Sequence, residues 1–266
     1  MENTVLGGKS VAIPKVIHYC WLGGNSKPES VQKCIASWRK YCPDYEIKEW
    51  NESNLDISMN QYTQQAYEAK AWGFVPDYLR LWIVYTYGGI YLDTDVQMVR
   101  SFDPLLKEAG FSGFEDNEHI AFGLGFGAEA GNKLLEKHMH VYDNLHFVNE
   151  DGSLNRTPSP KYTTTIMKAA GFHSNDGTVQ RVDGFACYPP EYFCPKSFTT
   201  GILKLTKNTF SIHQFDASWY SDEEQAQKQK YWKDAKKDYW IHLPNRIVRK
   251  VLGNKRTEQL KNFLRK

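Results

Sequence analysis

The chain has no long apolar run. No window reaches the roughly 18 uninterrupted apolar residues that a membrane-spanning helix needs, and the opening residues Met1 to Ser10 show no basic stretch followed by an apolar one. The expectation is a soluble protein. Cysteine is scarce: five residues, Cys20, Cys34, Cys42, Cys187 and Cys194, form an odd set at no metal-finger spacing. This excludes a zinc finger and disfavours a disulfide framework, so they read as structural thiols suited to a reducing cytoplasm. A dominant charge sign is also missing, since 33 Lys and Arg nearly balance 31 Asp and Glu. The balance hides an asymmetry: from Glu223 onward there are 13 basic against 5 acidic residues, which leaves 20 against 26 before it. The body is acidic and the tail basic, but no recognition motif accompanies the charge, and nucleic acid is not an expected partner. A dinucleotide fingerprint is lacking as well. Gly123-Leu124-Gly125-Phe126-Gly127 has G-x-G-x-G spacing, follows the wrong kind of unit, and reads as a strand or loop approaching a bound ligand closely.

Aromatic residues are plentiful, with 8 Trp and 16 Tyr. Sugar- and base-binding surfaces often carry such residues, although they also fill cores. At 266 residues the chain can bury a substantial core in one large or two small domains.

The early elements alternate. Val16 to Leu22 is a short apolar run after Pro14, ending at Gly23-Gly24, and predicts a buried parallel strand. Pro28 to Tyr41 predicts a helix with Val31, Ile35 and Trp38 on one face, and Tyr45 to Trp50 alternates as a second strand. Strand, helix, strand, helix, strand implies an α/β sheet with parallel crossovers, whose ligands lie beyond the carboxyl ends of the strands.

Residues 73–97 organise this pattern. A helix started by Pro76 runs into Gly88-Gly89, and a short apolar strand then delivers Asp93 and Asp95 at its carboxyl end. Two carboxylates flanking one residue there form a seat for a hard divalent cation bound to phosphate oxygens. Asp77 and Arg80, three residues apart, share a helix face. The plain account is a surface ion pair; the functional one has Asp77 accepting from sugar hydroxyls while Arg80 steadies them.

Further along, Gly131 to Asn144 predicts a helix, Asn149 to Pro160 a loop or lid, residues 161–171 a weak helix, and 178–200 short strands and turns. Thr209 to His213 is a last strand. His213 reads first as a structural histidine, but it stands beside Asp216, Ser218 and Trp219 at a strand end. The tail beyond Glu223 interleaves aromatics with Lys and Arg, as helices packed on the body or as a surface for anionic headgroups.

Three stretches resemble glycosyltransferase family 32, the DXD group that contains bacterial capsule and O-antigen enzymes and fungal mannosyltransferases and is related to the large clostridial glucosylating toxins. They are Ile17 to Gly24, Asp77 to Arg80 with Gly88 to Asp95, and His213 with Ser218-Trp219. The resemblance covers about residues 14–220. It implies a GT-A type, Rossmann-like mixed sheet flanked by helices over residues 1–222, followed by a basic amphipathic helical extension over 223–266. It also implies a divalent metal, Mn²⁺ or Mg²⁺, a nucleotide-sugar donor and retention of configuration. By this resemblance Trp21 stacks on the base, Asp77 and Arg80 hold the donor sugar, Asp93 contacts ribose and sugar, and Asp95 ligates the metal with His213. Leu22 and Thr94 belong to the donor-binding set, and Ser218 and Trp219 close over the diphosphate. The Trp21 platform favours a UDP-hexose over GDP-mannose. The acceptor implied is a polysaccharide repeat or lipid-linked oligosaccharide at the inner membrane face, with a protein side chain as the other choice. Ser159-Pro160 departs from the Gly-Pro of many relatives.

Two rivals stand beside this reading. A phosphatase of the D-x-D-x-T/V type also places two aspartates after an apolar strand, but Gln97 occupies the diagnostic position here. A sugar-nucleotide-binding protein without turnover would keep the same polar groups and lack only the reaction.

Overall fold

The computed structural model describes residues 13–217 and 223–243. In chain order the elements are β1 (Val16–Cys20), α1 (Glu29–Tyr41), β2 (Glu46–Trp50), α2 (Gln61–Glu68), α3 (Pro76–Tyr87), β3 (Gly89–Tyr91), β4 (Val96–Met98), β5 (Gly110–Phe114), β6 (Ile120–Ala121), β7 (Phe126–Ala128), α4 (Lys133–Met139), α5 (Ser159–Ala170), β8 (Gln180–Val182), β9 (Phe185–Tyr188), α6 (Pro190–Phe193) and β10 (Ser211–His213). Eight strands form a mixed sheet in the order β2-β1-β3-β7-β5-β9-β8, with β6 paired to β5. The α/β class is as expected, and the first three strands are parallel as the crossover pattern requires. Beyond them β7 runs antiparallel to both β3 and β5, so the sheet is mixed where the repeating pattern alone implied parallel strands.

Helix α1 buries Val31, Cys34, Ile35 and Trp38, a stripe at helical spacing, against β4. Helix α3 starts on Pro76, whose missing N–H costs nothing at a first turn, and packs on β1 and β3. Its end is set by Gly88, at φ +65°, and Gly89, at φ +99°. A Cβ on Gly89 would lie 2.8 Å from the Val16 carbonyl oxygen and 2.9 Å from His18 Nε2, so both the left-handed backbone and the close packing require glycine. His18 locks this turn: its Nε2 bonds the Gly88 carbonyl at 2.9 Å, while Trp50 Nε1 donates to its Nδ1 at 3.1 Å. The ring therefore carries its proton on Nε2, and burial lowers its pKa to about 4.

Strand β4 leaves the main sheet and pairs antiparallel with β10, His213 opposite Val96. This two-stranded ribbon carries the end of the chain's body back to the Asp93–Asp95 turn. The weak helical signal over 161–171 is a full helix from Ser159, while the expected helix over 131–144 is α4 followed by a single 3-10 turn at His140–Tyr142. All five cysteines are buried and none is in a disulfide.

Two compact units divide the described residues. One comprises residues 13–195 with 204–217, the other 196–203 with 223–243. In the second unit residues 223–243 are helical, and Trp232 turns inward to donate from its indole to the Phe198 carbonyl at 2.7 Å. Tyr231, Trp240 and Ile241 on this helix remain exposed. No helix among the described residues is long and apolar enough to cross a membrane.

Candidate active site

The site is built at the carboxyl ends of β1 and β3. Leu92 N–H bonds the His18 carbonyl at 3.0 Å and Trp21 N–H bonds the Trp50 carbonyl at 2.9 Å, so Asp93 and Trp21 emerge side by side from neighbouring strands. Val96 N–H then bonds the Asp93 carbonyl at 3.0 Å, closing a turn that carries Thr94 and Asp95. Trp21, Asp93, Thr94 and Asp95 line one open crevice, together with Leu22, Trp72 and Arg80.

On the β1 side the Trp21–Pro28 loop is tied at several points. Trp21 Nε1 donates to the Asn25 carbonyl at 2.7 Å, and Lys27 pairs with Glu49 at 2.7 Å. Glu52 Oε1 accepts from Gly23 N–H at 2.6 Å and from the Tyr67 hydroxyl at 3.0 Å. Trp72 packs beneath Gly23, where a Cβ would meet its ring at 3.0 Å. Trp72 was not among the expected site residues. Its place just before α3 was visible, but only the fold brings it under the Trp21 loop.

On the α3 side, Arg80 donates to Asp77 at 3.0 Å and to Asp93 at 3.4 Å, and its Nε bonds the Pro76 carbonyl at 3.1 Å. The Asp77 and Arg80 side chains are only 4% and 6% exposed. This is a buried pair, and the account of it as a surface cap fails. Arg80 and Pro76 reach the crevice wall, while Asp77 stands one layer deeper. Burial raises the Asp77 pKa to about 6, against the pull of Arg80 and a hydrogen bond from Ser159. Burial likewise raises Asp93, with Arg80 opposing it. Arg80 loses to burial but gains more from Asp93 and Asp77, so it stays charged.

Asp93, Asp95 and His213 each offer one atom, all within 4.8 Å of one another. His213 Nε2 lies 3.2 Å from Asp95 Oδ1. Asp95 Oδ2 accepts from Asp216 N–H at 2.9 Å, and its carbonyl accepts from Gln214 N–H at 2.9 Å. Burial opposes charge on both partners. Their mutual attraction wins, lowering the Asp95 pKa and raising that of His213. The turn around Asp95 is strained, with Phe215 at φ +56° and Ala217 at φ +48°. Two carboxylates and an imidazole make a mixed oxygen and nitrogen donor set, which suits a first-row divalent transition metal, whereas Ca²⁺ and Mg²⁺ typically take all-oxygen shells. Asp93, expected at ribose and sugar, thus also belongs to the cation cluster. Ser218 and Trp219 lie outside the described residues.

Three further residues shape the site. Gly123 is backed against Asp93 and Arg80, so the close approach expected of the G-x-G-x-G stretch is to these side chains. Ser159, the departure from the Gly-Pro pattern, holds Asp77. Glu115, at the end of β5, is raised by burial and offset by the charge of His213.

Comparison with known proteins agrees with this geometry. Residues 28–112 match the family described as "Glycosyltransferase sugar-binding region containing DXD motif". Among curated proteins, inositol phosphoceramide mannosyltransferase 3 of Schizosaccharomyces pombe is 34% identical over 40% of this chain and 30% of its own length. Inositol phosphoceramide mannosyltransferase 1 of the same organism is 26% identical over 63% of this chain and 52% of its own. The chain therefore spans about a third to a half of these relatives. Among solved structures, the PaToxG glycosyltransferase aligns over 59% of this chain and 70% of its own at 18% identity, with a TM-score of 0.48. Over residues 28–112 the chain is thus similar to the sugar-binding region of the DXD-containing glycosyltransferases.

Proposed function

We propose that this chain is a metal-dependent hexosyltransferase that takes its sugar from a nucleoside diphosphate donor. The observation that carries the reading is convergence on one crevice of Trp21, Arg80 and the Asp93–Asp95–His213 cluster. Trp21 offers a half-buried ring to the base. Arg80 holds the donor sugar from the crevice wall, and Asp77 fixes Arg80 from behind. Asp93 contacts ribose and sugar, with Leu22 and Thr94 beside it. A cation on Asp95 and His213, with Asp93 alongside, would supply the positive charge against which a diphosphate leaves.

No free carboxylate in the crevice suits a covalent nucleophile: among the described residues Asp93 and Asp95 are engaged in the cluster and Asp77 is buried on Arg80. This supports front-face displacement with retention. The acceptor oxygen bonds the anomeric carbon on the side from which the diphosphate departs, and the departing phosphate oxygen takes the acceptor's proton.

Two donor readings remain in play. The Trp21 platform favours UDP-glucose or UDP-galactose, whereas two relatives named as mannosyltransferases favour GDP-mannose. Those names also favour a lipid acceptor over a protein side chain; a lipid-linked oligosaccharide or polysaccharide repeat is the broader class. Release of UDP or GDP from the three donors with Mn²⁺ tests the reading, and binding without release identifies a protein that has lost turnover.

The basic tail over 223–266 is proposed as a separate extension that meets anionic membrane at the cytoplasmic face, supported by exposed Tyr231, Trp240 and Ile241 among lysines. Removing 223–266 should reduce sedimentation with phosphatidylserine vesicles; unchanged sedimentation refutes that role.

A further inference from the structure

Gly23 and Gly24 follow the crevice residues Trp21 and Leu22, and both stand in the left-handed region, at φ +87° and φ +68°. Neither carries a side chain to pack, so this end of the loop needs an outside hold. Glu52 provides one. Its Oε1 accepts from Gly23 N–H at 2.6 Å and from the Tyr67 hydroxyl at 3.0 Å. The Tyr67 ring meets that of Trp72 edge-on, with centroids 5.2 Å apart, and the Trp72 ring lies beneath Gly23. Four segments thus close one circuit: the loop after β1, the turn after β2, α2, and the approach to α3.

Glu52 stands on a braced turn. Asn54 Nδ2 donates to the Glu49 carbonyl at 3.0 Å, and Asn54 Oδ1 accepts from Asn51 N–H at 2.9 Å. Burial opposes charge on Glu52, but the N–H groups of Gly23 and of Glu52 itself, with the Tyr67 hydroxyl, prevail and lower its pKa. A charged acceptor makes the stronger hydrogen bond. The far end of the loop is held independently, by Trp21 Nε1 on the Asn25 carbonyl at 2.7 Å and by Gln32 Nε2 on the Lys27 carbonyl at 2.8 Å. None of these contacts involves Asp93, Asp95 or His213. Losing Glu52 therefore loosens the Leu22–Gly24 end and the Trp72 wall while the cation cluster keeps its own bonds.

We infer that Glu52, with Tyr67, is a positioning residue for the nucleoside end of the donor, holding Trp21, Leu22 and Trp72 in the arrangement that receives the base and ribose. The inference rests on the reading of Trp21 as the base platform. Glu52 and Tyr67 are not among the residues that line the crevice, so they act through its walls. A loop fixed beforehand in its binding shape raises affinity by cutting the ordering cost of binding. That gain belongs to the nucleoside, because the diphosphate meets the cation cluster instead.

Calorimetry on the full chain with Mn²⁺ tests this by comparing UDP, GDP and inorganic pyrophosphate for wild type, Glu52→Ala, Glu52→Gln and Tyr67→Phe. Glu52→Ala should weaken the nucleotide that wild type prefers about tenfold, and pyrophosphate less than about twofold. Glu52→Gln keeps an acceptor for Gly23 N–H and should recover part of the loss. Tyr67→Phe, which removes only a hydroxyl, should weaken the nucleotide about threefold. In nucleotide release the loss should appear in the donor KM rather than in kcat. Unchanged nucleotide affinity in Glu52→Ala overturns the positioning role. Equal loss of nucleotide and pyrophosphate overturns it too, since that marks a general collapse of the site. Should Glu52→Ala fail to fold, Tyr67→Phe decides by the same comparison. Trp21→Ala separates the two readings: if it keeps wild-type nucleotide affinity, the base platform fails. If it loses affinity while Glu52→Ala and Tyr67→Phe do not, only the positioning role fails.

Discussion

Gly123 stands against Asp93 with no room for a side chain. A Cβ there would lie 2.5 Å from Asp93 Oδ2 and 3.2 Å from Arg80 Nη1. The glycine is needed for space, since its φ is not among the positive ones. Gly123→Ala should therefore push Asp93 out of the cation cluster. Calorimetry should show Mn²⁺ binding weakened about tenfold or more, with a stability loss of about 1–3 kcal/mol from overpacking. Unchanged Mn²⁺ affinity would mean that Asp93 has no part in the cluster.

Arg80 sits between two carboxylates, Asp77 at 3.0 Å and Asp93 at 3.4 Å. Arg80→Met leaves both without a counter-charge and should cost about 3–5 kcal/mol. Asp77→Asn combined with Arg80→Met should recover part of that loss, because removing both charges strands fewer of them. Urea unfolding of the four proteins measures the coupling; simple additivity would show that the pair is not coupled.

His18 sets a pH dependence. Its folded pKa, about 4, is below the ordinary value of 6.5, so the unfolded chain binds a proton the folded one refuses. Its contribution is complete above pH 6.5 and is lost progressively as pH falls towards 4. Asp77 acts with the opposite sign: its folded pKa of about 6 exceeds 3.8, so it adds stability on the acid side. The two are separated by comparing wild type with His18→Gln. Between pH 7 and pH 4.5 the variant should lose less stability than wild type, by an amount on the order of 2–3 kcal/mol. Parallel curves would show that His18 is not held neutral.

How much of this was legible follows from sequence distance. Pro76, Asp77, Arg80, Gly88, Gly89, Asp93 and Asp95 lie within one helix–turn–strand unit, and local rules place them correctly. The first strands were equally legible, because apolar periodicity is local. The departure of β4 from the sheet to meet β10 was not, since pairing residues 96 and 213 leaves no trace in either segment's period. For the same reason Trp72 escaped notice, and the partners of Gly123 and Ser159 could not be named: each acts on a residue far away in the chain. Asp93 illustrates a subtler limit, because its spacing suggested a carboxylate seat but its dual place beside Arg80 and His213 required three elements to be folded together.

The central claim is that Asp95 and His213 hold the cation on which transfer depends. The most direct test is nucleotide release from UDP-glucose, UDP-galactose and GDP-mannose across a Mn²⁺ titration, for wild type and Asp95→Asn. The account requires Mn²⁺-dependent release by wild type with at least one donor, and a loss of at least a hundredfold in the variant at any Mn²⁺ concentration. An Asp95→Asn protein with wild-type rate and wild-type Mn²⁺ response would contradict it.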